Sequence, residues 1–451
     1  MTSLDPTTTA ALDRRLAVEQ STQRLPSVVA AVVRAGELVW AGAVGAVDGR
    51  PDGAPATPDT QYRIGSISKT FVAVEVMRLR DEGLLSIADT IGAHLPEVPF
   101  GHVTIAQLLT HTSGLQAETD GDWWERTAGG SWADLLSTVP GLRFTPGTAF
   151  HYSNVGYGVL GELVARLRGR PWQDAVRDGI LTPLGMHRTT TRPVAPSAPG
   201  LAVHPLADLL HAEPEHDAVS MAPAGQLWST AADLSTWAAF LGGRTQGVLA
   251  DETLAEMLRP VAVNDLAGAA WGGAHGLGWQ MWNVDGRRYA GHGGSMPGFL
   301  AGLRVDVESG DGIVLMTNAT SGLGTATTDL LDLLREREPV SPAPWHADAS
   351  QAPALDLVGP WFWGTYAFTL SLDGDGGFRL GEPGQGRGAR FRRDDQGWVG
   401  LDGYYRGEPL RVERDAAGRP ARLVLASFVF TRTPYDPTVE VPGGIDEHGW
   451  H

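Results

Sequence analysis

The amino-acid sequence predicts an α+β fold, in which one antiparallel sheet covered by helices is followed by a smaller all-β domain. Hairpin-like strand pairs occur near both ends of the region 1–337, whereas residues 84–200 between them are largely helical in character. A segment rich in Pro, Ala and Ser at 338–360 indicates a linker, and short alternating runs follow at 361–451. We therefore expect a first domain at 1–337 and a small barrel or sandwich at 361–451.

Apolar spacing predicts the individual elements along the chain. Helices are expected at 10–24, from about Ser66 to Gly83, and at 103–110, 155–168 and 324–337. Strand pairs are expected at 27–34 with 38–44, at 277–282 with 288–292, and at 299–305 with 312–318. Strands of the last domain are expected at 361–372, 378–380, 398–401, 410–414 and 422–431.

Composition and charge exclude several classes of function. The 451 residues include 52 Asp and Glu against 35 Lys and Arg, and this net charge of −17 disfavours nucleic acid and anionic membrane as partners. The absence of cysteine excludes disulfides, thiol catalysis and thiolate metal sites, and the 13 histidines lack zinc-like spacing. The sequence shows no signal-peptide pattern and no run of 18 apolar residues. We therefore expect a cytoplasmic protein without a metal or cofactor.

One stretch combines a hydroxyl and an amine in a pattern typical of nucleophilic catalysis. Ser66 and Lys69 are three residues apart and would share one face of a helix. The helix is apolar on nearly all sides from Phe71 to Leu79, which predicts burial. A desolvated lysine can take the proton of a serine, and a helix N-terminus favours negative charge on the reacting oxygen. A Ser-x-x-Lys string alone occurs by chance in many proteins, so the interpretation depends on other motifs.

Two further motifs follow later in the chain. Tyr152-Ser-Asn154 lies 86 residues after the serine, and His292-Gly-Gly-Ser295 follows a predicted strand. With Ser66-Ile-Ser-Lys69 before them and His111-Thr-Ser-Gly-Leu115 between, these motifs resemble the serine β-lactamase and penicillin-binding-protein family, nearest its class C branch. The resemblance covers about residues 20–337 and implies the β-lactamase/transpeptidase-like fold.

The resemblance implies a role for each motif residue. Ser66 attacks an acyl carbonyl, while Tyr152, its phenolate favoured by the Lys69 ammonium, exchanges the proton of Ser66. Asn154 orients Lys69 and the substrate amide. The family's oxyanion hole maps to the backbone N–H groups of Ser66 and Ser295. Whether Lys69 or Tyr152 is the formal general base stays open at this point.

The third motif departs from most members of the family. They carry a lysine where this chain has His292, and the charge of that lysine helps to dock a substrate carboxylate. A neutral imidazole does so poorly at pH 7, which argues against efficient β-lactamase activity. A histidine at this position resembles the esterases, D-peptidases and thioesterases built on the same fold.

Two passages extend the resemblance to a subfamily. Residues 220–230 and 291–301 look like those of penicillin-binding-protein-type thioesterases, which are stand-alone enzymes of nonribosomal peptide pathways, and the C-terminal domain resembles a lipocalin-like module. The resemblance implies that the serine takes a peptidyl chain from a carrier-protein thioester, often with a D-residue at its C-terminal end, and releases it as a macrolactam. A cytoplasmic esterase or D-stereospecific peptidase would use the same residues with water as acceptor. A catalytically idle homologue used for binding is a further alternative.

Several residues are candidates for substrate contacts. Gly293 adjoins the third motif, and Trp124 belongs to a tryptophan-rich loop that either lines a pocket or packs a lid. Arg432 follows an apolar strand end and is the candidate for contacting a substrate carboxylate or the phosphopantetheine of a carrier, although a solvated barrel face is the simpler interpretation. We interpret His111 and its neighbours as a structural turn outside the site.

Overall fold

The computed structural model describes residues 4–434 except 140, 272, 375, 383, 384 and 396. The chain divides into two compact units between Val340 and Ser341, a boundary that lies within the segment interpreted as a linker. Residues 435–451 of the expected second domain, and residues 1–3 of the first, lie outside the described residues. In the part of the chain that is described, no helix combines the length and the apolar character needed to cross a bilayer.

The first unit combines helices with mainly antiparallel strands. Its helices are α1 (Pro6–Thr22), α2 (Ser68–Asp81), α3 (Ile91–His94), α4 (Ile105–Leu109), α5 (Trp132–Ser137), α6 (Asn154–Arg168), α7 (Trp172–Val176), α8 (Ala231–Leu241), α9 (Asp251–Met257) and α10 (Ala326–Arg337). Its strands are β1 (Ser27–Arg34), β2 (Glu37–Gly45), β3 (Tyr62–Arg63), β4 (Leu201–Val203), β5 (Leu210–Ala212), β6 (Trp228–Ser229), β7 (Ala262–Val263), β8 (Gly273–His275), β9 (Gln280–Val284), β10 (Arg287–Met296), β11 (Phe299–Asp306) and β12 (Gly312–Thr317). Short 3₁₀ turns occupy Gly65–Ile67 and Val219–Ala224.

One antiparallel sheet organises this unit. Among the described residues it has eight strands in the order β2-β1-β12-β11-β10-β9-β8-β7. The N-terminal hairpin joins the C-terminal strands through β1 and β12, with Val28 opposite Thr317 and Ala30 opposite Leu315. The helical middle of the chain therefore covers a sheet built from both ends of the unit. This confirms the predicted α+β architecture.

Strand β1 shows why its sequence is continuously apolar. Val28 and Ala30 face a core shared with α1 and α10, whereas Val29 and Ala31 face the larger core that contains α2 and α8. Because successive side chains of a strand point to opposite faces, a strand covered by helices on both sides has no polar face. Strand β1 is therefore interior to the sheet, whereas its hairpin partner β2 forms an edge of the described sheet, so the apolar composition of the hairpin predicts the place of β1 but not that of β2.

Helix α2 runs through the larger core and leads away from the candidate nucleophile. Every residue from Ser68 to Met77 is buried. The Phe71 ring stacks on the Trp237 ring with centroids 4.1 Å apart, and Trp237 Nε1 donates to Thr70 Oγ1 at 2.9 Å. These contacts fix the first turns of α2 and hence the turn that precedes it.

The second unit is an eight-stranded closed barrel. Its strands are β13 (Gly359–Trp363), β14 (Tyr366–Leu372), β15 (Phe378–Leu380), β16 (Ala389–Asp394), β17 (Gly397–Gly400), β18 (Pro409–Arg414), β19 (Pro420–Leu425) and β20 (Phe428–Thr431). Aromatic and aliphatic side chains fill its interior, among them Trp361, Phe378, Phe391 and Phe430. The predicted all-β, lipocalin-like domain is confirmed in this form.

The barrel differs from the sequence prediction in its strand count. The strand expected at 361–372 is two strands, because Gly364 adopts a left-handed φ of +59° between β13 and β14. The run 422–431 is likewise divided, at Ala426 with φ +51°. Strand β16 was not predicted, because only Ala389 and Phe391 of its six residues are buried and the rest are exposed charged side chains.

Candidate active site

The candidate nucleophile lies in the 3₁₀ turn that precedes α2. The sequence predicted Ser66 in the first helical turn, whereas α2 begins at Ser68 and Ser66 belongs to the turn before it. Lys69 is nevertheless on the same face, and its Nζ lies 2.9 Å from Ser66 Oγ. The same Nζ donates to the Ala224 carbonyl oxygen at 2.6 Å. The expected serine and amine are therefore in direct contact.

Burial sets the protonation state of the lysine. Lys69 has no solvent exposure. Desolvation lowers the pKa of Lys69 from its ordinary 10.5 to about 7, and the nearby carboxylates of Glu118 and Glu125 oppose this shift. A substantial fraction of the side chain is thus a neutral amine at pH 7. In that form Lys69 can accept the hydroxyl proton of Ser66.

Tyr152 completes the contacts around the serine oxygen. Lys69 Nζ lies 5.1 Å from the centroid of its ring, and the Ser66 hydroxyl is close enough to stabilise the phenolate form. Burial raises the pKa of Tyr152 above its ordinary value of 10, and the neighbouring Ser66 hydroxyl offsets only part of the increase. The sequence interpretation had a phenolate here, whereas desolvation favours the neutral phenol. The directions of the two shifts favour Lys69 as the base and the neutral phenol of Tyr152 as a neighbour that can pass a proton.

Two glycines bring strand β10 against the nucleophile turn. Gly65 has φ +53°, and a Cβ on it would lie 2.5 Å from the Ser295 amide nitrogen. A Cβ on Gly294 would lie 1.9 Å from the Ile64 carbonyl oxygen and 3.4 Å from the Ser66 amide nitrogen. The backbones therefore meet at a separation that only glycine permits. The predicted oxyanion donors, the N–H groups of Ser66 and Ser295, lie at this crossing.

The third motif contributes a neutral imidazole. His292 is buried, and its Nδ1 lies 2.5 Å from the Gly293 carbonyl oxygen, which can only accept a hydrogen bond. Burial and the Lys69 charge lower the pKa of His292 to about 3. The neighbouring Gly293 is exposed to solvent, and its N–H donates to Gln280 Oε1 at 3.0 Å. Position 292 therefore supplies no positive charge at neutral pH.

Asn154 contacts a different partner from the one expected. Its Nδ2 donates to Glu118 Oε1 at 2.6 Å, and its backbone N–H donates to the Ala117 carbonyl oxygen at 2.8 Å. Lys69 instead donates to the Ala224 carbonyl, so Asn154 does not orient the amine through a direct hydrogen bond. Within the described residues, Asn154 Oδ1 is buried without a hydrogen-bond partner. This oxygen is available to a substrate amide N–H, the other half of the predicted role.

Sequence reasoning missed the acidic residues of the adjoining loop. Glu118 accepts from Asn154 through one oxygen and from Trp124 Nε1 through the other, at 2.6 Å in both contacts. Glu125 is half-buried nearby and accepts from the exposed Trp123 at 2.9 Å. No periodic pattern marks a carboxylate in an irregular loop, so the sequence gives no signal for either glutamate.

Two tryptophans of the tryptophan-rich loop lie in different surroundings. Trp124 is buried, and its ring comes within 3.7 Å of a Cβ built on Gly225, next to the carbonyl that holds Lys69. Trp132 instead donates to Glu97 at 2.8 Å. Trp124 is therefore the loop tryptophan that lies beside the site, and its contact with substrate stays a prediction.

Arg432 is engaged within the barrel unit. Its guanidinium lies 3.9 Å from the centroid of the Trp361 ring. It donates to the carbonyl oxygens of Val358 at 3.3 Å, Pro360 at 3.2 Å and Asp356. These contacts account for its position without a ligand. Its role in substrate binding stays a prediction.

Comparisons with known proteins identify the family and the fold. Residues 12–338 match the family model named Beta-lactamase, and residues 350–432 match a domain family of unknown function, DUF7586. Penicillin-binding protein 4 of Amycolatopsis lactamdurans is 33% identical over 311 residues, which are 64% of this chain and 78% of that protein. The structure of a D-stereospecific amidohydrolase from a Streptomyces species is 25% identical, with a TM-score of 0.59 over 74% of this chain and 99% of that one. The structure of SurE is also 25% identical, with a TM-score of 0.59 over 95% of this chain and 99% of that one.

Proposed function

The chain belongs to the beta-lactamase family of serine hydrolases, and we propose that it is a serine acyltransferase that macrocyclises a peptidyl thioester delivered on a carrier protein. The observation that carries the proposal is the buried imidazole of His292, which stands where most of the family carries a lysine and has its Nδ1 2.5 Å from the Gly293 carbonyl oxygen. A peptide joined to its carrier by a thioester has no free carboxylate at the reacting residue. A site without a cation in the third motif suits such a substrate better than one with a C-terminal carboxylate.

The chemistry follows from the contacts around Ser66. The neutral Lys69 amine accepts the hydroxyl proton as Oγ attacks the thioester carbonyl, and the N–H groups of Ser66 and Ser295 stabilise the oxyanion. The C–S bond then breaks, and the thiolate takes a proton from Lys69 through the Tyr152 hydroxyl. An acyl ester of Ser66 remains.

In the second half of the cycle, the amine of the bound peptide attacks the ester carbonyl and gives its proton to Lys69. The C–O bond breaks, and Ser66 Oγ recovers a proton as the lactam leaves. The sum is thioester plus amine giving lactam plus thiol. A site sheltered from water favours the amine as acceptor.

Two further observations support this assignment. The passages 220–230 and 291–301, which carry the subfamily resemblance, provide the Ala224 carbonyl that binds Lys69 and the Ser295 amide at the nucleophile turn. The name of the Streptomyces amidohydrolase supports a D-residue at the acyl position.

A second candidate is hydrolysis of D-configured amides or esters with water as acceptor. The same amidohydrolase likeness favours it, since that protein is D-stereospecific. The residues and the acyl-enzyme are the same in both functions. Only the acceptor differs.

The test offers linear peptidyl N-acetylcysteamine thioesters that differ only in a D or an L C-terminal residue, and determines the products by mass. The proposal expects cyclic product from the D series and none from Ser66→Ala. Hydrolysed product alone would favour the second candidate. The absence of an acyl-enzyme on Ser66 would refute both, in favour of a binding homologue.

A further inference from the structure

His111 contacts the loop that carries Tyr152 at three points. Its ring stacks on the Tyr152 ring with centroids 4.2 Å apart and an interplanar angle of 27°. Its Nδ1 accepts the Ser153 N–H at 3.0 Å, and its carbonyl oxygen accepts the His151 N–H at 2.8 Å. One residue therefore contacts Tyr152 itself and the backbone on both sides of it. The sequence interpretation had left this histidine outside the site.

The same chain segment continues to hold the loop beyond Tyr152. The Ser153 hydroxyl donates to the Gln116 carbonyl at 2.7 Å, and the Asn154 N–H donates to the Ala117 carbonyl at 2.8 Å. Residues 151–154 therefore lie alongside residues 111–118, and backbone and side-chain hydrogen bonds join the two segments. Within this segment, His111 supplies the ring that stacks on the phenol.

The backbone and the protonation state of His111 suit this role. Its φ is +56°, a left-handed conformation that disfavours most side chains but that His and Asn tolerate better. Nδ1 accepts an amide N–H, so it carries no proton, and in the neutral ring the proton is on Nε2. Burial, His275, Lys69, His292 and His151 all lower the pKa of His111, which keeps the ring neutral.

We propose that His111 is a positioning residue that holds the Tyr152 hydroxyl at Ser66 Oγ during acylation. Among the aromatic ring contacts of Tyr152 in the described part of the chain, the stack on His111 is the shortest, with centroids 4.2 Å apart against 6.2 Å to His292 and 6.3 Å to His275. Loss of the stack or of the Nδ1 contact lets the ring move away from Oγ. The inference concerns acylation of Ser66, so it holds whether the acceptor is an amine or water.

The experiment separates the two contacts and tests that they act through Tyr152. His111→Asn keeps an acceptor near Nδ1 and tolerates the left-handed backbone but removes the stack, whereas His111→Phe keeps a ring and removes the acceptor. The rate of Ser66 phosphonylation by a fluorophosphonate is followed by intact mass, in the full chain and in the Tyr152→Phe background. Steady-state hydrolysis of a p-nitrophenyl ester separates kcat from KM.

We expect each His111 variant to lower the labelling rate and kcat by about 10- to 100-fold with little change in KM. In the Tyr152→Phe background, the same substitutions should change the rate less than about twofold, because the group they position is already inactive. His151→Ala is the matched control, since that ring packs on Phe144 with centroids 4.8 Å apart. It should leave the labelling rate unchanged.

Equal losses in both backgrounds would overturn the proposal, because His111 would then act independently of Tyr152. Wild-type rates in both His111 variants would also overturn it. If His111→Phe fails to fold, His111→Asn still decides the matter, with its thermal unfolding and circular dichroism as the check. A wild-type protein that is not labelled on Ser66 would refute the serine chemistry and this inference together.

Discussion

Replacing Lys69 by methionine measures how far burial lowers the pKa of this lysine. Methionine keeps an unbranched chain of similar length and removes the charge. Lys69 is fully buried, and its Nζ contacts Ser66 Oγ and the Ala224 carbonyl oxygen. Loss of the hydrogen bond to the Ala224 carbonyl lowers the free energy of unfolding by about 1–3 kcal/mol, and this decrease is the same at every pH. The informative quantity is therefore the difference between the two proteins as pH changes.

The sign follows from a folded-state pKa of about 7 against an ordinary value of 10.5 for Lys69. Below pH 7 both states of the wild type are protonated, and the full penalty for burying an ammonium is present. Between pH 7 and 10.5 the folded state has lost a proton that the unfolded state still binds. Wild-type stability therefore rises relative to Lys69→Met by about 1.4 kcal/mol per pH unit in the middle of this interval and by half that slope at each end, or about 4 kcal/mol in all.

The assay is urea unfolding of both proteins at intervals from pH 6 to 10.5, with the difference in unfolding free energy plotted against pH. Other titrating groups are common to both proteins and largely cancel. A curve that is flat from pH 6 to 7 and then rises for the wild type supports a desolvated lysine. A flat difference across the whole range would refute the reasoning, because Lys69 would then titrate as a solvated ammonium.

Three further outcomes are expected. The rate of Ser66 labelling should rise with pH through about 7 as Lys69 loses its proton. Glu125→Gln should move this rise to lower pH, because a carboxylate that raises the pKa of Lys69 is removed. A shift to higher pH would contradict this. Gly294→Ala should lower Tm and labelling because its Cβ would lie 1.9 Å from a carbonyl oxygen, whereas Gly293→Ala, whose nearest neighbour is 3.9 Å away, should leave Tm unchanged in the same thermal melt. Tyr152→Phe should lower kcat about 100- to 1,000-fold while KM stays similar, as measured on an activated ester, and a wild-type kcat would exclude proton passage through the phenol.

The sequence predicted much of the site because its chemistry lies in short ordered motifs. Ser66 and Lys69 are one helical turn apart, so their contact follows from local geometry once the segment is helical. Tyr152 was placed beside them by resemblance, and in the structure its ring centroid lies 5.1 Å from Lys69 Nζ. Desolvation, which raises the pKa of Tyr152, is an effect that the interpretation from the Lys69 charge did not include. Burial depends on what packs around a residue, which the motif does not contain.

The sequence by itself determined the main hairpins of the sheet, the helix that follows Ser66, the all-β character of the second unit, the order of the motifs and the neutral residue at position 292, because periodicity and residue identity are local properties. Only the tertiary structure decided that His111 lies on Tyr152, that Glu118 bridges Asn154 and Trp124, and that Lys69 is cut off from water. These contacts join loops that are distant in the chain. They exist because the sheet and α2 hold those loops together, and packing at that range leaves no repeating pattern in the sequence.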